Sequence, residues 1–289
     1  MKNNKYGERG DFMEKPIKRL AVIHDLCGLG KAALTNIIPI LSVMEIEVCP
    51  IPTIILSTHT GGFGKPATMK LDNYINNAVN HYRELNINFE GIFIGYLGSI
   101  KNIDECLVLL KSYKKDDSII LIDPIFADNG HFYSNFNKDY SEKIKELIKF
   151  SDVITPNYTE ACILCDEPIL ENVDKKEIER LVNKIKTFGG KDIIITSLPL
   201  KDNILGTGIY NEKKQSIEII YSQKQERSYP GTGDIFTSVL LGYLLKGTEI
   251  EASTAKACQF VEKCMRVSSS YDYSPKEGIL LEKCLKYLE

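Results

Sequence analysis

The chain has 289 residues, 43% of them hydrophobic, with a net charge of −3 and a pI near 5.9. That length holds one large domain or two small ones, and the composition is that of an ordinary globular protein. Lys and Arg are scattered, which excludes a nucleic-acid footprint, and the longest apolar runs, such as SVLLGYLL at 238–245, are too short to cross a bilayer.

Residues 1–18 are polar and lack the apolar core of an export signal, so they read as a leader before the first strand. The expectation is a cytoplasmic chain whose eight cysteines stay reduced. Cys162 and Cys165 form a lone C-x-x-C in a helical segment, without the second pair a zinc site needs. They read as small buried hydrophobes.

Apolar runs then alternate with amphipathic ones. RLAVIH (19–24) predicts a buried strand, and 31–44 a helix interrupted at Pro39. VCPIPTIIL (48–56) predicts a strand whose prolines mark an edge or an irregular course. Helices are predicted over 71–85, 102–114, 140–150 and 175–189, with strands at 91–95, 118–123, 152–155 and 192–196 between them. Residues 205–222 read as an antiparallel pair, and three helical segments close the chain. This order predicts one α/β domain over 19–289, a mainly parallel sheet with helices on both faces.

In such sheets ligands sit beyond the carboxyl ends of the strands. The segments found there are HDLCGLGK, STHTGGFG, GYLGS, DPIFADNG, TPNYTE, TSLP and PGTGD, all polar or glycine-rich. In the last, Gly231-Thr232-Gly233-Asp234 precedes a long apolar run. Glycines permit a tight turn and close ligand approach, and the first amides of a helix have no partner within it. Such a turn is suited to a phosphate, with Asp234 placed to accept a proton from an attacking alcohol. A plain helix cap explains the same residues equally well.

Asp123 and Asp128, and Asn157 with Glu160, supply hard oxygens suited to magnesium, or else ordinary turns and helix starts. HDLCGLGK fails as a Walker loop, because Asp25 stands where a glycine is needed and Ala32 where a Ser or Thr holds the metal. As a dinucleotide fingerprint, Gly28, Gly30 and Ala33 match only formally, since Glu45 and Glu47 precede the next strand. His24 reads as structural; the cluster around His59 could line a polar pocket. The G-x-S-x-G elbow of a serine hydrolase is absent from the sequence.

Taken in this order, PIPTIILSTHT, GYLGS, DPIFAD, TPNYTEACIL and PGTGDIFTSVLLG resemble the ribokinase-like superfamily, and within it the pyridoxal/pyridoxamine kinases, from about Arg19 onward. The resemblance implies a three-layer α-β-α sandwich and ATP-dependent phosphorylation of the 5′-hydroxymethyl of a B6 vitamer. It implies Gly231, Thr232 and Gly233 as anion hole and Asp234 as base. It implies Asp123, Asn157, Glu160, Thr196 and Arg227 (or Lys224) around the nucleotide, with Asp123 and Glu160 toward Mg2+. Asp25, Thr53, His59 and Tyr96 are implied at the vitamin ring. A homodimer is also implied, and a monovalent cation such as K+ is left open. Asp25 matches an Asp of the related hydroxymethylpyrimidine kinases, so a thiamine-type pyrimidine kinase is the alternative. A non-catalytic vitamer-binding protein and a dinucleotide-dependent oxidoreductase are the readings outside that chemistry.

Overall fold

The computed structural model describes residues 16–113 and 118–288, so most of the leader lies outside the described residues. In chain order the elements are β1 (Lys18–Leu29), α1 (Leu34–Val43), β2 (Ile46–Thr58), β3 (Thr68–Lys70), α2 (Tyr74–Glu84), β4 (Gly91–Ile94), α3 (Ile100–Tyr113) and β5 (Ile119–Ile122). A short hairpin, β6 (Ala127–Asp128) and β7 (His131–Phe132), precedes α4 (Lys138–Ile148), β8 (Val153–Ile154), α5 (Tyr158–Leu164) and α6 (Lys175–Thr187). Then come β9 (Asp192–Pro199), β10 (Ile204–Asn211), β11 (Ser216–Gln223), α7 (Thr232–Leu245), α8 (Ile250–Ser269) and α9 (Leu281–Cys284).

Nine strands form one sheet in the order β11-β10-β9-β8-β5-β4-β1-β2-β3. The six from β9 to β2 run parallel, and β3, β10 and β11 pair antiparallel. Strand residues alternate between two cores, as the pleat requires. Ala21, Ile23, Ile92, Ile94, Ile120 and Ile122 pack toward α2 to α6. Leu20, Val22, Phe93, Leu121 and Val153 pack toward α1, α7, α8 and α9. Burial on both faces is why these strands read as unbroken apolar runs. The result is the three-layer α-β-α sandwich with a mainly parallel sheet.

Several expectations need correction. Pro39 does not interrupt α1, which runs through it. A helix-interior proline costs about 3 kcal/mol. Leu34, Ile37, Ile40 and Leu41 are all buried, and at about 2 kcal/mol each their burial outweighs that cost. The strand read over 19–24 does not end at His24, and the helix read over 31–44 does not begin at Lys31. β1 continues to Leu29, paired with β2, and the helix waits until Leu34. β1 and β2 thereby project past the end of β4, whose pairing stops at Ile94. Pro50 and Pro52 sit where β2 has only β1 as neighbour, because β3 pairs with residues 54–56 alone. Those prolines mark an edge, as predicted.

Candidate active site

Two bulges interrupt the ladders toward the carboxyl ends of β1 and β9. Between His24/Pro52 and Leu26/Ile55 the register shifts, so Thr53 and Ile54 oppose Asp25 alone. Between Gly206/Leu198 and Gly208/Ile195 it shifts again, placing Thr196 and Ser197 opposite Thr207. Bulges re-aim side chains. The sequence-predicted residues Asp25, Thr53 and Thr196 all lie at them.

α7 starts at Gly231, which has φ 79° and makes no side-chain cap. A Cβ there would press to 2.6 Å from Asn36 Nδ2, while one on Gly233 would meet nothing within 4 Å. One glycine is thus needed for packing against the 31–36 segment, and the other leaves open space at the helix mouth. The first bond inside the helix runs from Ile235 N to Gly231 O. The amides of 232–234 precede it and have no intrahelical acceptor.

Asp234 does not cap its own helix. Its Oδ2 accepts from Ala33 N at 2.6 Å, and its Oδ1 lies 3.2 Å from His24 Nε2. His24 Nδ1 is 2.7 Å from Asp25 Oδ1, and Cys27 Sγ donates to Asp25 Oδ2 at 3.0 Å. Burial alone would drive the imidazole down, but the Asp234 and Asp25 carboxylates overcome it and push His24 up to about 10. Asp123 accepts from Thr237 Oγ1 at 3.0 Å. Burial, and then the Asp234 charge, push Asp123 up to about 7. These four groups are buried together. His24 was read as structural; the structure puts it in contact with the acid of the glycine turn. Its parity was the available signal, since the alternation that sends Leu20 and Val22 toward α7 sends His24 there too.

Other sequence-predicted residues are placed differently. Asn157 caps α5, and Glu160 closes a capping box with it. Glu160 also accepts from Phe126 N at 2.9 Å and Ala127 N at 3.3 Å. Backbone amides therefore fill three of its roughly four lone-pair positions. Burial, and then the Asp123 charge, push Glu160 up to about 8. Asp128 is exposed and closes a local turn onto Asn129. Thr53 Oγ1 donates to Tyr96 O at 2.9 Å, and Tyr96 OH accepts from Asn135 at 2.9 Å. His59 Nδ1 accepts from Gly61 N at 3.0 Å, and Nε2 donates to Lys276 O at 2.7 Å. Neither nitrogen is left for a ring substrate. Arg227 is exposed and donates to Tyr271 O at 3.3 Å, and Lys224 is exposed beside it.

Among the described residues no group of three His, Cys, Asp or Glu side chains could hold a metal. Magnesium does not need such a cage, because water and phosphates complete its shell. Asp123, facing the charge of Asp234, fits that use; Glu160, filled by amides, does not fit a direct ligand. Two surface cavities of about 340 and 320 Å³ lie on α8 and the C-terminal turn, away from these acids. Among the described residues no helix is long and apolar enough to cross a membrane.

A mainly parallel sandwich with an open glycine turn and a buried carboxylate at its end defines a ribokinase-like small-molecule kinase. The chain belongs to the phosphomethylpyrimidine kinase family, whose model matches residues 61–279. A protein from Bacteroides thetaiotaomicron, provisionally described as a phosphomethylpyrimidine kinase and crystallised with pyridoxal, is 36% identical, with a TM-score of 0.90 over 94% of this chain and 96% of that one. Pyridoxal kinase from Lactobacillus plantarum is 26% identical, with a TM-score of 0.86 over 94% and 96%. Pyridoxal kinase of Dictyostelium discoideum is 28% identical over 70% of each chain.

Proposed function

We propose that this chain transfers the γ-phosphoryl group of ATP to the 5′-hydroxymethyl of a B6 vitamer. The observation that carries the reading is the freedom of Asp234 from its own helix. Its carboxylate stands at an open glycine turn, among buried charges. In the proposed step Asp234 takes the hydroxyl proton, the vitamer oxygen bonds to the γ-phosphorus, and the bond to the β-phosphate oxygen breaks. ADP leaves with that electron pair. The amides of 232–234 bind the equatorial oxygens as charge develops, and positioning and electrostatics of this kind carry most phosphoryl transfer. Magnesium, where bound, neutralises the phosphates; Asp123 would hold it through water. Thr196 and the 223–230 segment line the nucleotide side, and Asp25, Thr53 and Tyr96 the ring side. His59 supports that side through its backbone contacts.

A thiamine-type pyrimidine kinase is the second reading, favoured by the family match and by Asp25 at the ring end. A carboxylate there accepts from a protonated pyridine nitrogen or from an exocyclic amine alike. A cytoplasmic homodimer completes the proposal. ADP release from Mg·ATP is measured with pyridoxal, pyridoxamine, pyridoxine and hydroxymethylpyrimidine in parallel. Turnover with a B6 vitamer is the expected result. Turnover with the pyrimidine alone moves the chain to the second reading, and silence with all four removes both.

A further inference from the structure

The turn between β1 and α1 holds two residues with a Cβ at positive φ. Lys31 has φ 45°, and Ala33 has φ 60° with ψ −141°. L-residues rarely adopt such angles, because Cβ crowds the neighbouring carbonyl oxygen. They persist only where the surroundings over-determine them. Here α1 catches all three carbonyls of the turn. Asn36 Nδ2 donates to Lys31 O at 2.7 Å, and Thr35 Oγ1 donates to Ala32 O at 2.7 Å. Asn36 N and Ile37 N donate to Ala33 O at 2.9 and 3.1 Å. The Ala33 N–H is left for Asp234 Oδ2, at 2.6 Å.

Asn36 also joins this turn to the glycine turn. It is wholly buried. The same Nδ2 reaches Gly231 O at 3.3 Å, across 195 residues of sequence. The two carbonyls fix the orientation of the carboxamide, since its oxygen in that place would oppose two oxygens. Its Oδ1 has no partner among the described residues, so the donors are what this side chain contributes. Gly231 completes the fit, because a Cβ there would overlap Lys31 O.

We infer that Asn36 is a positioning residue for phosphoryl transfer: its carboxamide ties the strained 31–33 turn to Gly231 and so sets the Ala33 N–H that orients the Asp234 carboxylate. The inference rests on the kinase reading above. His24 Nε2 lies 3.2 Å from Asp234 Oδ1 but makes no aligned hydrogen bond. The Ala33 amide is therefore the contact that stops the carboxylate from rotating. With Asn36 in place, the base and the open amides of 232–234 keep one geometry. Without it the turn relaxes toward negative φ and carries the Ala33 N–H off Asp234. A misplacement of about 1 Å at a catalytic group costs on the order of 100-fold in rate.

The test compares wild type, Asn36→Ala and the double variant Asn36→Ala with Ala33→Gly, in Mg·ATP with the substrate that wild type prefers. Asn36→Ala should lose about 10- to 100-fold in kcat, with KM for ATP and for the substrate within about threefold. The double variant should regain about fivefold, because glycine takes the Ala33 conformation without the Cβ penalty. Simple mispacking predicts the opposite, since deleting a second buried group adds to the first loss. A double variant no faster than Asn36→Ala therefore overturns the inference, as does wild-type kcat in Asn36→Ala. A second measurement needs no folded variant: hydrogen exchange followed by 15N NMR in the ligand-free wild type. The Ala33 N–H and the Asn36 carboxamide should exchange at least about 100-fold more slowly than free amides. Exchange of either at the free rate overturns the inference. Silence of wild type with every vitamer and with the pyrimidine removes the kinase reading and the inference with it, whereas the variants and the exchange rates bear on the inference alone.

Discussion

Asp234 and Glu160 occupy the same place in two helices. Each is the third residue, at the carboxyl end of the sheet, and each is almost wholly buried. Their fates differ because their caps differ. Asn157 supplies a side chain that accepts from Glu160 N at 2.9 Å, and Glu160 returns the bond from Asn157 N at 3.0 Å. Gly231 supplies none, so the start of α7 stays open and Asp234 turns to His24 and Ala33 instead. One acid is spent on holding its loop, and the other is left for chemistry. The residue three positions upstream sets whether a cap is offered, and contacts across the fold, Ala33 to Asp234 and Phe126 to Glu160, settle the use.

Three experiments break or sharpen that contrast. The largest effect is expected at Asp234. Asp234→Asn keeps the shape and the Ala33 contact but cannot take a proton, so kcat should fall about 10³-fold, within the usual range for a general base. ATP should still stabilise the variant against heat. Undiminished turnover would mean that Asp234 is no more chemical than Glu160.

Glu160→Ala should instead cost stability. It removes the capping box and the acceptor of two further amides, for about 2–4 kcal/mol in total. In a chain of this length that is a Tm drop of roughly 4–8 °C. Turnover at low temperature should stay within severalfold of wild type. An unchanged Tm with lost turnover would put Glu160 beside Asp234 in the chemistry and erase the distinction.

The smallest effect is a pH slope set by Asp123, which lies between the two acids. Burial, and then the Asp234 charge, hold its folded value near 7, above the unfolded 3.8. Between those values the unfolded chain has released a proton that the folded chain keeps, so stability falls as pH rises through this window. Denaturant unfolding of ligand-free wild type and Asp123→Asn at pH 5, 6, 7 and 8 should show the gap opening in favour of the variant. Parallel lines would take Asp123 out of the charged cluster.

Much of this was written locally. The alternation of apolar runs specified the parallel sheet, because a strand buried on both faces must be apolar throughout. The glycines and Asp234 marked the turn at α7, and T-P-N-x-x-E marked the start of α5. Local chemistry could not choose between cap and cradle in either place, since the deciding bonds join Ala33 to Asp234 across 201 residues and Phe126 to Glu160 across 34. The extension of β1 through HDLCGL was equally hidden. Its glycine there reads as a turn until β2 pairs beside it, and a Cβ on Gly28 would sit 2.9 Å from Ser57 O. The hairpin of β6 and β7 is held by two facing pairs, Ala127 with Phe132 and Asp128 with His131, and left too short a pattern to find. Sequence alone determined the layers and the residue types gathered beyond the strands, because periodicity and turn chemistry act over a few residues. Which acid is satisfied by backbone and which is left to face His24 was decided only in the folded chain, where burial makes every unpartnered charge costly and contacts across the fold assign the partners.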